Sequence, residues 1–431
     1  MSVVMRQPLR SGGAADTQAV AEPRRASAGT PRLSAHAFDA ACLRAIARVL
    51  DGVPVRIELW NGASADASAS PAATVRIGDR ATLLYLAIDP DVAFGEGYRA
   101  GRIEVDGDLV GMLAAVVRKQ VLAGRRSPTL VRALRAARNT LARARRNVAH
   151  HYDLGNDFYR LWLDREMVYT CAYFPTPEAS LEAAQVAKMD LVARKLALRP
   201  GEVVFEAGCG WGSLALHLAR HYDVRVRAWN VSHQQVAWAR ERATREGLSD
   251  RVEFVEDDYR HMTGHCDAFV SVGMLEHVGR PHYAALADTI DRTLDCTGGR
   301  GLLHFIGRNA PAPTGRWIAR RIFPGTHIPS LGEAVAGVLE PHTLAVVDVE
   351  NLQPHYARTL AHWLSRFRAV EDEVTRRFGE PFTRMWRLYL AEAQAGFLGG
   401  NLQLFQVTFA RPTRPALRWT RADLYAKAPS P

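Results

Sequence analysis

Short apolar runs alternate with longer helical patterns along the second half of the chain. The runs that fit buried strands begin at Val203, Val224, Val252, Ala268, Gly301 and Leu344. Apolar residues recur at helical spacing between them, near residues 213–221, 232–246, 281–294 and 356–378. Apolar strands that alternate with helices are typical of a doubly wound, mostly parallel sheet. We therefore predict an α/β fold with seven strands, in which a last run at residues 402–410 finishes the sheet at an edge.

The first part of the chain has a different pattern. Strand-like runs at residues 55–59, 74–77 and 83–88 precede a glycine-punctuated stretch, FGEGYRAGRIEVDGDL. This mixture predicts a small α+β accessory domain over residues 32–117. Residues 1–31 contain no apolar run, so we expect a disordered tail without a signal peptide. A basic linker helix at residues 118–146 then leads to the second domain, residues 147–431.

Length and cysteine content limit the protein class. A chain of 431 residues suits two domains better than one. No stretch approaches the roughly 18–20 uninterrupted apolar residues that cross a bilayer. The cysteines are scattered without a CxxC pair, at positions 42, 171, 209, 266 and 296. We therefore expect a reducing cytoplasm, no disulfide frame and no metal site.

The net charge of +10 is concentrated in the predicted linker. Residues 118–146 hold ten basic side chains and no acidic one. A basic helix of this kind suits the headgroup layer of an anionic membrane, and a solvated connector between domains is the alternative. No aromatic residue interrupts the run, which disfavours single-stranded nucleic acid as the partner. We expect peripheral membrane association and no nucleic acid, and a homodimer is compatible with the sequence.

A glycine loop follows the first strand of the second domain. Gly208, Gly210 and Gly212 alternate between the strand at Val203 and a helix that begins at Ser213. Ligands of open α/β sheets bind at the carboxyl ends of strands, and alternate glycines let backbone N–H groups approach a ligand closely. The GxGxG spacing suits S-adenosylmethionine (SAM), which has no pyrophosphate to cradle. A tight turn without a ligand is the alternative.

Two further strand ends are candidates for the same ligand. Asn230 ends the second strand, where such sheets place a group for ribose hydroxyls. Ser232 and Gln235 fit a capping box for the next helix, and Gln235 also has the length to reach a ligand. Asp258 and Tyr259 end the third strand and are expected at the amino group and the face of an adenine.

Seven segments occur in one order between residues 147 and 410: HYDLGNDFYRLWLD, YTCAYF, EAGCGWGSLA, SVGMLEHVG, LLHFIG, FPGTHIPSL and ENLQPHYARTLAHW. Together they resemble the cyclopropane-fatty-acyl-phospholipid synthase family. The resemblance implies a Rossmann-like class I methyltransferase sheet with helices inserted over an acyl channel. It also implies an N-terminal accessory domain before the catalytic domain.

The resemblance further implies a reaction and its residues. The alkene of an unsaturated phospholipid acyl chain would attack the SAM methyl group, and the resulting carbocation would lose a proton to bound bicarbonate and close to a cyclopropane. The bicarbonate site falls on Cys171, Glu276, His304, Tyr356 and the backbone of Ile306. The SAM contacts fall on Tyr169, Thr170, Gly208, Gly210, Gly212, Asn230, Ser232, Gln235, Asp258 and Tyr259.

The chemistry agrees with these residue types. An alkene has no proton that a base could remove first, so the enzyme must align it, exclude water and stabilise a cation. Aromatic faces suit that cation, and we expect them from Tyr169, Tyr173, Phe174, Trp211, Phe305 and Tyr356.

Each residue of the proposed base site also has a structural alternative. Cys171 could be a small buried hydrophobe, and His304 a core histidine bonded to backbone. Tyr356 could pack the next helix, while Glu276 could pair with Arg280 on the surface.

The sequence departs from the family where Leu398 and Gly399 follow Phe397, since a charged residue is expected there. Phe305 stands where a smaller residue is frequent and is expected to narrow the pocket. These departures leave the acyl-chain specificity open. Three other functions are separate alternatives: a methyl-branched or hydroxylated lipid product, methylation of a small amine or alcohol, and non-catalytic lipid binding.

Overall fold

The structure is a computed structural model that describes residues 35–124, 154–413 and 419–425. The strands are β1 Val55–Leu59, β2 Ser64–Asp66, β3 Ala73–Ile77, β4 Ile103–Gly107, β5 Val203–Ala207, β6 Arg225–Asn230, β7 Val252–Glu256, β8 Ala268–Val272, β9 Arg300–Arg308, β10 Ala345–Asn351 and β11 Leu402–Ala410. The α-helices are α1 Ala35–Val49, α2 Arg80–Ile88, α3 Pro90–Arg99, α4 Leu109–Leu122, α5 Asn156–Arg160, α6 Leu181–Leu196, α7 Ser213–Tyr222, α8 His233–Arg245, α9 Leu275–Val278, α10 Tyr283–Thr293, α11 Arg316–Arg321, α12 Leu331–Ala334, α13 Gln353–Ala369, α14 Glu371–Phe378, α15 Glu380–Leu398 and α16 Ala422–Tyr425.

The N-terminal unit is a four-stranded sheet with helices α1–α4. Its strand order is β2-β1-β3-β4, with β1 parallel to β3 and the other pairs antiparallel. Strands β1 and β3 bury alternate residues, as expected for a sheet covered on one face. The domain boundaries given above stay predictions, and α4 runs through residue 117 to Leu122. The predicted tail lies outside the described residues, as does the predicted linker helix beyond Gly124.

The strand predicted at residues 83–88 is wrong, because these residues belong to helix α2. Asp79 caps the helix, and its Oδ1 accepts the N–H of Thr82 at 2.8 Å. The run from Leu83 to Ile88 consists largely of Leu and Ala, which favour helix. The apolar run alone could not separate a strand from a helix, whereas the aspartate cap could have done so.

The second unit contains the predicted α/β sheet of seven mostly parallel strands. Its order is β10-β11-β9-β8-β5-β6-β7, and β5 to β9 are parallel. Strand β11 is antiparallel to both of its neighbours. The carboxyl ends of β5, β6, β8 and β9 therefore meet at one edge of the sheet, where ligands of such folds bind.

The predicted edge position of the last strand is wrong. Strand β11 is inserted between β9 and β10, and β10 forms the edge. Burial explains the order, because seven consecutive residues of β11 are buried whereas Ala345, Val346 and Val347 of β10 are exposed. A strand that is apolar throughout fits an internal position better than an edge.

The predicted helices at 213–221, 232–246 and 281–294 correspond to α7, α8 and α10. The helix predicted at 356–378 forms two helices instead, α13 and α14, which separate at Val370. The long helix α15 follows and packs on both α13 and α4. Arg384 of α15 donates to the carbonyls of Tyr98 and Ile103, which fixes this helix against the N-terminal unit.

One hydrophobic core joins the N-terminal unit to helices α13–α15. It contains Ile57 of β1 together with Trp162, Trp363 and Trp386, all of them buried. This shared core places the N-terminal sheet beside the strand ends of the larger sheet. No helix within the described ranges is long and apolar enough to cross a membrane.

Candidate active site

The glycine loop lies between β5 and α7 and uses the conformations that glycine allows. Gly208, Gly210 and Gly212 have φ values of 86°, 54° and 84°. A Cβ at Gly212 would lie 2.6 Å from Cζ of Phe254, so this glycine allows close packing. A Cβ at Gly210 would meet nothing within 4 Å, because Gly210 faces the cavity. The loop therefore leaves open space where a ligand can approach the backbone.

The second strand end is held to this loop by side-chain hydrogen bonds. Asn230 Nδ2 donates to the carbonyl of Gly210 at 3.2 Å and to Oε1 of Gln235 at 2.8 Å. Ser232 Oγ accepts the N–H of Gln235 at 3.5 Å, so Ser232 caps α8. Only half of the predicted capping box is present, since the Gln235 side chain bonds to Asn230 instead. Asn230 and Gln235 line the cavity.

The remaining predicted SAM contacts line the same cavity. Asp258 Oδ1 accepts the N–H of Arg260 at 3.0 Å, and Tyr259 has a buried hydroxyl without a partner in the described chain. Tyr169 shares a hydrogen bond of 2.7 Å between its hydroxyl and that of Tyr389. Thr170 Oγ1 accepts from Nζ of Lys188 at 3.1 Å. The structure thus gathers the predicted contacts around one space, with Ser232 behind it.

A buried charge cluster beneath the loop was not predicted from the sequence. Burial raises the pKa of Glu206 to about 7, and burial lowers the pKa of Lys188 to about 8. Burial likewise raises the pKa of Asp164 to about 6, although hydrogen bonds from the N–H groups of Glu166 and Val168 act to lower it. Glu206 keeps one buried carboxylate oxygen without a partner among the described residues. Glu206 precedes the glycines in the sequence, but no local motif marks Lys188.

Glu276 and Ile306 meet at the ends of β8 and β9. Glu276 Oε1 accepts the backbone N–H of Ile306 at 2.6 Å, while its Oε2 is buried and has no partner in the described part of the chain. Burial raises the pKa of Glu276 to about 7. The surface pair with Arg280 does not form, because Arg280 contacts Glu333. Glu276 is therefore a buried carboxylate with one oxygen available to a ligand.

His304 lies two residues before Ile306 on the same strand. Lys195 Nζ donates to Oε1 of Gln406 at 2.7 Å, which directs the Gln406 amide nitrogen to His304 Nδ1 at 3.1 Å. This donor leaves the imidazole proton on Nε2, which is buried without a partner in the described residues. Burial holds the pKa of His304 well below its usual value. His304 is thus a neutral donor whose tautomer is fixed by Gln406, a residue that the sequence did not indicate.

Cys171 and Tyr356 complete the predicted base site. Tyr356 of α13 lines the cavity together with Glu276 and Ile306. The thiol of Cys171 donates to the carbonyl of Ala172 at 3.1 Å, and Ala172 N–H donates to Thr359 of α13 at 3.0 Å. Cys171 and His304 are almost fully buried and do not line the cavity, although Lys188 acts electrostatically on both. The structure therefore places three of the five residues at the cavity wall, while Cys171 and His304 are buried outside its lining.

A cavity of about 1050 Å³ connects these groups. One end is bounded by the glycine loop and the centre by Glu276, Ile306 and Tyr356. The other end is apolar and is formed by the N-terminal unit, with Ile46, Val55, Ile57, Val75, Ile77 and Met112 in its wall. Its volume lies at the upper end of the usual range for small-molecule sites, roughly 300–1,000 Å³.

Only some of the aromatic residues that were predicted at the site line the cavity. Tyr169, Trp211 and Tyr356 line the cavity, whereas Tyr173 and Phe174 do not. Phe305 does not narrow the pocket, because it lies in a separate core with its ring centroid 5.8 Å from that of Phe405. Successive strand residues face opposite sides of a sheet, and Ile306 takes the cavity side. Phe397, which the sequence did not single out, lines the cavity at 4.7 Å from the ring of Tyr356.

Comparison with known protein families identifies the family of the chain. A family model described as mycolic acid cyclopropane synthetase matches residues 139–407. The chain belongs to this family. It is accordingly a SAM-dependent methyltransferase of the cyclopropane synthase type. A second model, described only as a domain of unknown function, matches residues 43–124 in the N-terminal unit.

Individual relatives of this methyltransferase agree with the assignment. A probable fatty acid methyltransferase of Pseudomonas putida is 33% identical over 392 residues, which cover 86% of this chain and 96% of the relative. The cyclopropane-fatty-acyl-phospholipid synthase of Escherichia coli K12 is 39% identical over 272 residues, covering 63% of this chain and 69% of the relative. The mycolic acid cyclopropane synthase CmaA1 complexed with SAH and CTAB is 30% identical, with a TM-score of 0.59, and covers 62% of this chain and 98% of its own.

Proposed function

We propose that this methyltransferase converts the double bond of an unsaturated phospholipid acyl chain into a cyclopropane, with SAM as methyl donor and bicarbonate as base. One observation carries the proposal. A single cavity joins the glycine loop to an apolar channel, and Glu276 lies at the junction with one carboxylate oxygen that no described residue contacts through a hydrogen bond. A small amine or alcohol would not require an apolar channel of this size.

The residues around the glycine loop fit SAM. The open space at Gly210 admits a ligand to the backbone. Glu206 offers a cationic amino group the carboxylate oxygen that has no partner in the described ranges. Asn230 and Gln235 suit ribose hydroxyls, and Tyr259 presents an aromatic face beside Asp258. When bound, SAM supplies an electrophilic methyl group.

The base site fits bicarbonate in part. Glu276 Oε2 can accept its hydroxyl proton, and the Nε2 proton of His304 and the Tyr356 hydroxyl suit its oxygens. The Ile306 N–H is already bonded to Glu276, and the Cys171 thiol to Ala172, so both would have to exchange partners. When bound, bicarbonate supplies a proton acceptor. Gln406 holds His304 in the tautomer that donates to this anion.

The chain's own residues perform the remaining tasks. The apolar wall excludes water, which would otherwise capture a cation on the acyl chain. The rings of Tyr356 and Phe397 lie together in the wall and stabilise positive charge through their faces. Glu276 and His304 would hold the anion, which would supply the acceptor for a proton of the transferred methyl group, and the electron pair of that C–H bond would close the ring.

A methyl-branched product is the second candidate. The relative that covers 86% of this chain is named a probable fatty acid methyltransferase, whereas the phospholipid synthase covers 63%. The two reactions share the cation and differ in which proton leaves. The placement of the base therefore decides the product.

The proposed location is the inner face of an anionic membrane. The support is the basic run of residues 118–146, most of which lies outside the described residues. Changing Arg132, Arg135 and Arg138 to Glu should reduce binding to anionic vesicles and leave the SAM dissociation constant unchanged. Unaltered vesicle binding would make this run a connector. A homodimer remains a prediction.

A product analysis tests the proposed function. The protein is incubated with SAM and vesicles of an unsaturated phospholipid, and the acyl chains are measured by mass. We expect a gain of one CH2, and chemical hydrogenation then separates a ring from a branched alkene. Unchanged acyl chains under conditions in which SAM binds would contradict the proposal.

A further inference from the structure

The cavity wall contains two ionisable groups of opposite sign that no described residue pairs. Arg308 ends β9 and Glu392 lies in α15, and both line the cavity. Neither side chain forms an ion pair or a hydrogen bond with any described residue, and none joins the two. A charge removed from water without a partner is costly. Two such charges in one wall therefore indicate a ligand that carries both opposite charges.

Arg308 presents donors without acceptors. Its Nε is buried and unpaired within the described ranges, and burial lowers the pKa of its guanidinium. Thr326 adds a buried hydroxyl on the same wall, and this hydroxyl has no partner among the described residues. Thr314 donates to the carbonyl of Thr326 at 3.0 Å and so continues this wall. Guanidinium and hydroxyl groups together suit a phosphate, since an arginine fork matches its oxygens.

Glu392 presents acceptors without donors. Burial, followed by the nearby carboxylate of Asp91, raises its pKa to about 8. Asp91 also lines the cavity and accepts the N–H of Arg316 at 2.6 Å. A bound cation would stabilise the ionised form of Glu392. A primary ammonium, which has three N–H donors, suits this pair of carboxylates.

These residues lie where the cavity reaches the surface. Asp91, Pro313 and Gly315 are exposed and line the cavity. Ile306, which faces the proposed base site, is two residues before Arg308 on the same face of β9. An acyl chain that reaches Glu276 would therefore leave its polar end in this part of the wall.

We propose that Arg308 and Glu392 select a zwitterionic aminophospholipid, with the phosphodiester on Arg308 and Thr326 and the primary ammonium on Glu392 and Asp91. This inference rests on the proposed function, because it assigns the headgroup end of the same cavity. Phosphoethanolamine carries both a phosphodiester and a primary ammonium, whereas phosphoglycerol offers Glu392 no cation. The carboxylate of a free fatty acid would use Arg308 alone.

A competition assay tests the assignment. Vesicles of saturated phosphatidylcholine contain equal amounts of dioleoyl phosphatidylethanolamine and dioleoyl phosphatidylglycerol, so both substrate lipids are present in the same membrane. The full chain and SAM are added, and the two products are separated by lipid mass. The wild type should favour phosphatidylethanolamine by about tenfold, and Glu392→Gln should remove that preference while retaining turnover of phosphatidylglycerol. Arg308→Gln should lower both rates by at least about tenfold, since both lipids carry the phosphate.

Matched variants and a binding assay separate the possible failures. Glu380→Gln on α15 and Arg320→Gln on α11 alter exposed charges outside the cavity wall and should leave rates and ratio unchanged. SAM affinity should be equal in all variants. Equal wild-type rates on both lipids, or a ratio that Glu392→Gln does not change, would overturn the inference but leave the proposed function intact. Free oleate tests the remaining alternative. If the wild type converts oleate as fast as phosphatidylethanolamine and Arg308→Gln no longer converts it, Arg308 binds a carboxylate instead of a phosphate.

The dissociation constant of dihexanoyl phosphatidylethanolamine, measured by calorimetry, tests the headgroup site independently of turnover. The wild type should bind it at least about tenfold more tightly than Glu392→Gln does. If no lipid is converted while this difference persists, the proposed reaction fails and the headgroup site stands. Equal binding by both proteins would reject the site.

Discussion

At the residue scale, the proposed reaction depends on two atoms that have no hydrogen-bond partner in the described part of the chain, Oε2 of Glu276 and Nε2 of His304. Glu276→Gln keeps an oxygen that can accept the N–H of Ile306 and removes the carboxylate. We expect turnover to fall by about 100-fold, a typical loss for a positioned proton-transfer group. SAM affinity should be unchanged, and the exposed Glu241→Gln serves as control. Normal turnover of Glu276→Gln would remove this residue from the base site.

The raised pKa of Glu276 predicts a pH-dependent stability difference. Its folded pKa of about 7 exceeds the unfolded value of 4.5, so ionisation penalises the folded state increasingly from pH 4.5 to 7. Glu276→Gln should therefore become more stable relative to the wild type across this window, by up to about 3 kcal/mol, and the gain should stay constant at higher pH. Urea unfolding midpoints of both proteins measure it. A difference that does not vary with pH would show that this carboxyl is not perturbed.

The bond between Gln406 and His304 predicts the effect of an isosteric change. In Gln406→Glu a carboxylate accepts a proton from Nδ1 and moves the imidazole to the other tautomer. Nε2 then loses its proton, and we expect turnover to fall by about tenfold or more. Nitrogen NMR of the imidazole should show the exchange of tautomer. An altered rate without that exchange would indicate another cause.

At the element scale, two glycines of the loop have different roles: Gly212 allows close packing, and Gly210 leaves space for a ligand. Gly210→Ala and Gly212→Ala both place a side chain at positive φ, which costs about 1–2 kcal/mol. Only Gly212→Ala also meets Phe254, so it should destabilise the protein more. Gly210→Ala should lower SAM affinity by about tenfold, because its methyl group enters the open space. Full SAM affinity in Gly210→Ala, measured by calorimetry, would place SAM elsewhere.

Elements were predictable where pattern and context agreed. The alternation of apolar strands with helices gave the seven-stranded sheet, and the GxGxG spacing located the loop. The helix at 83–88 was missed because Leu and Ala runs have no clear period over so few residues. The internal position of β11 depends on its antiparallel return between β9 and β10, which no local pattern encodes. Lys195 and Gln406 reach His304 only through that pairing, so the sequence could not indicate them.

At the scale of the whole molecule, the N-terminal unit supplies the apolar end of the cavity. Ile46→Trp on α1 should fill part of this channel, because Ile46 lines it. We expect turnover of long acyl chains to fall by about tenfold and SAM affinity to stay constant. Ile88→Trp is the control, since Ile88 is 81% exposed and does not line the cavity. Equal turnover of both variants would show that the acyl chain does not enter the N-terminal end of the cavity.

The proposed reaction requires a proton to leave the transferred methyl group toward an anion held between Glu276 and His304. SAM with a fully deuterated methyl group tests it most directly, in an incubation with unsaturated phospholipid vesicles. We expect mass and NMR measurements to show a cyclopropane whose new carbon has lost one deuteron and kept the other two. A product that keeps every methyl deuteron, or a label on nitrogen or oxygen, would contradict it.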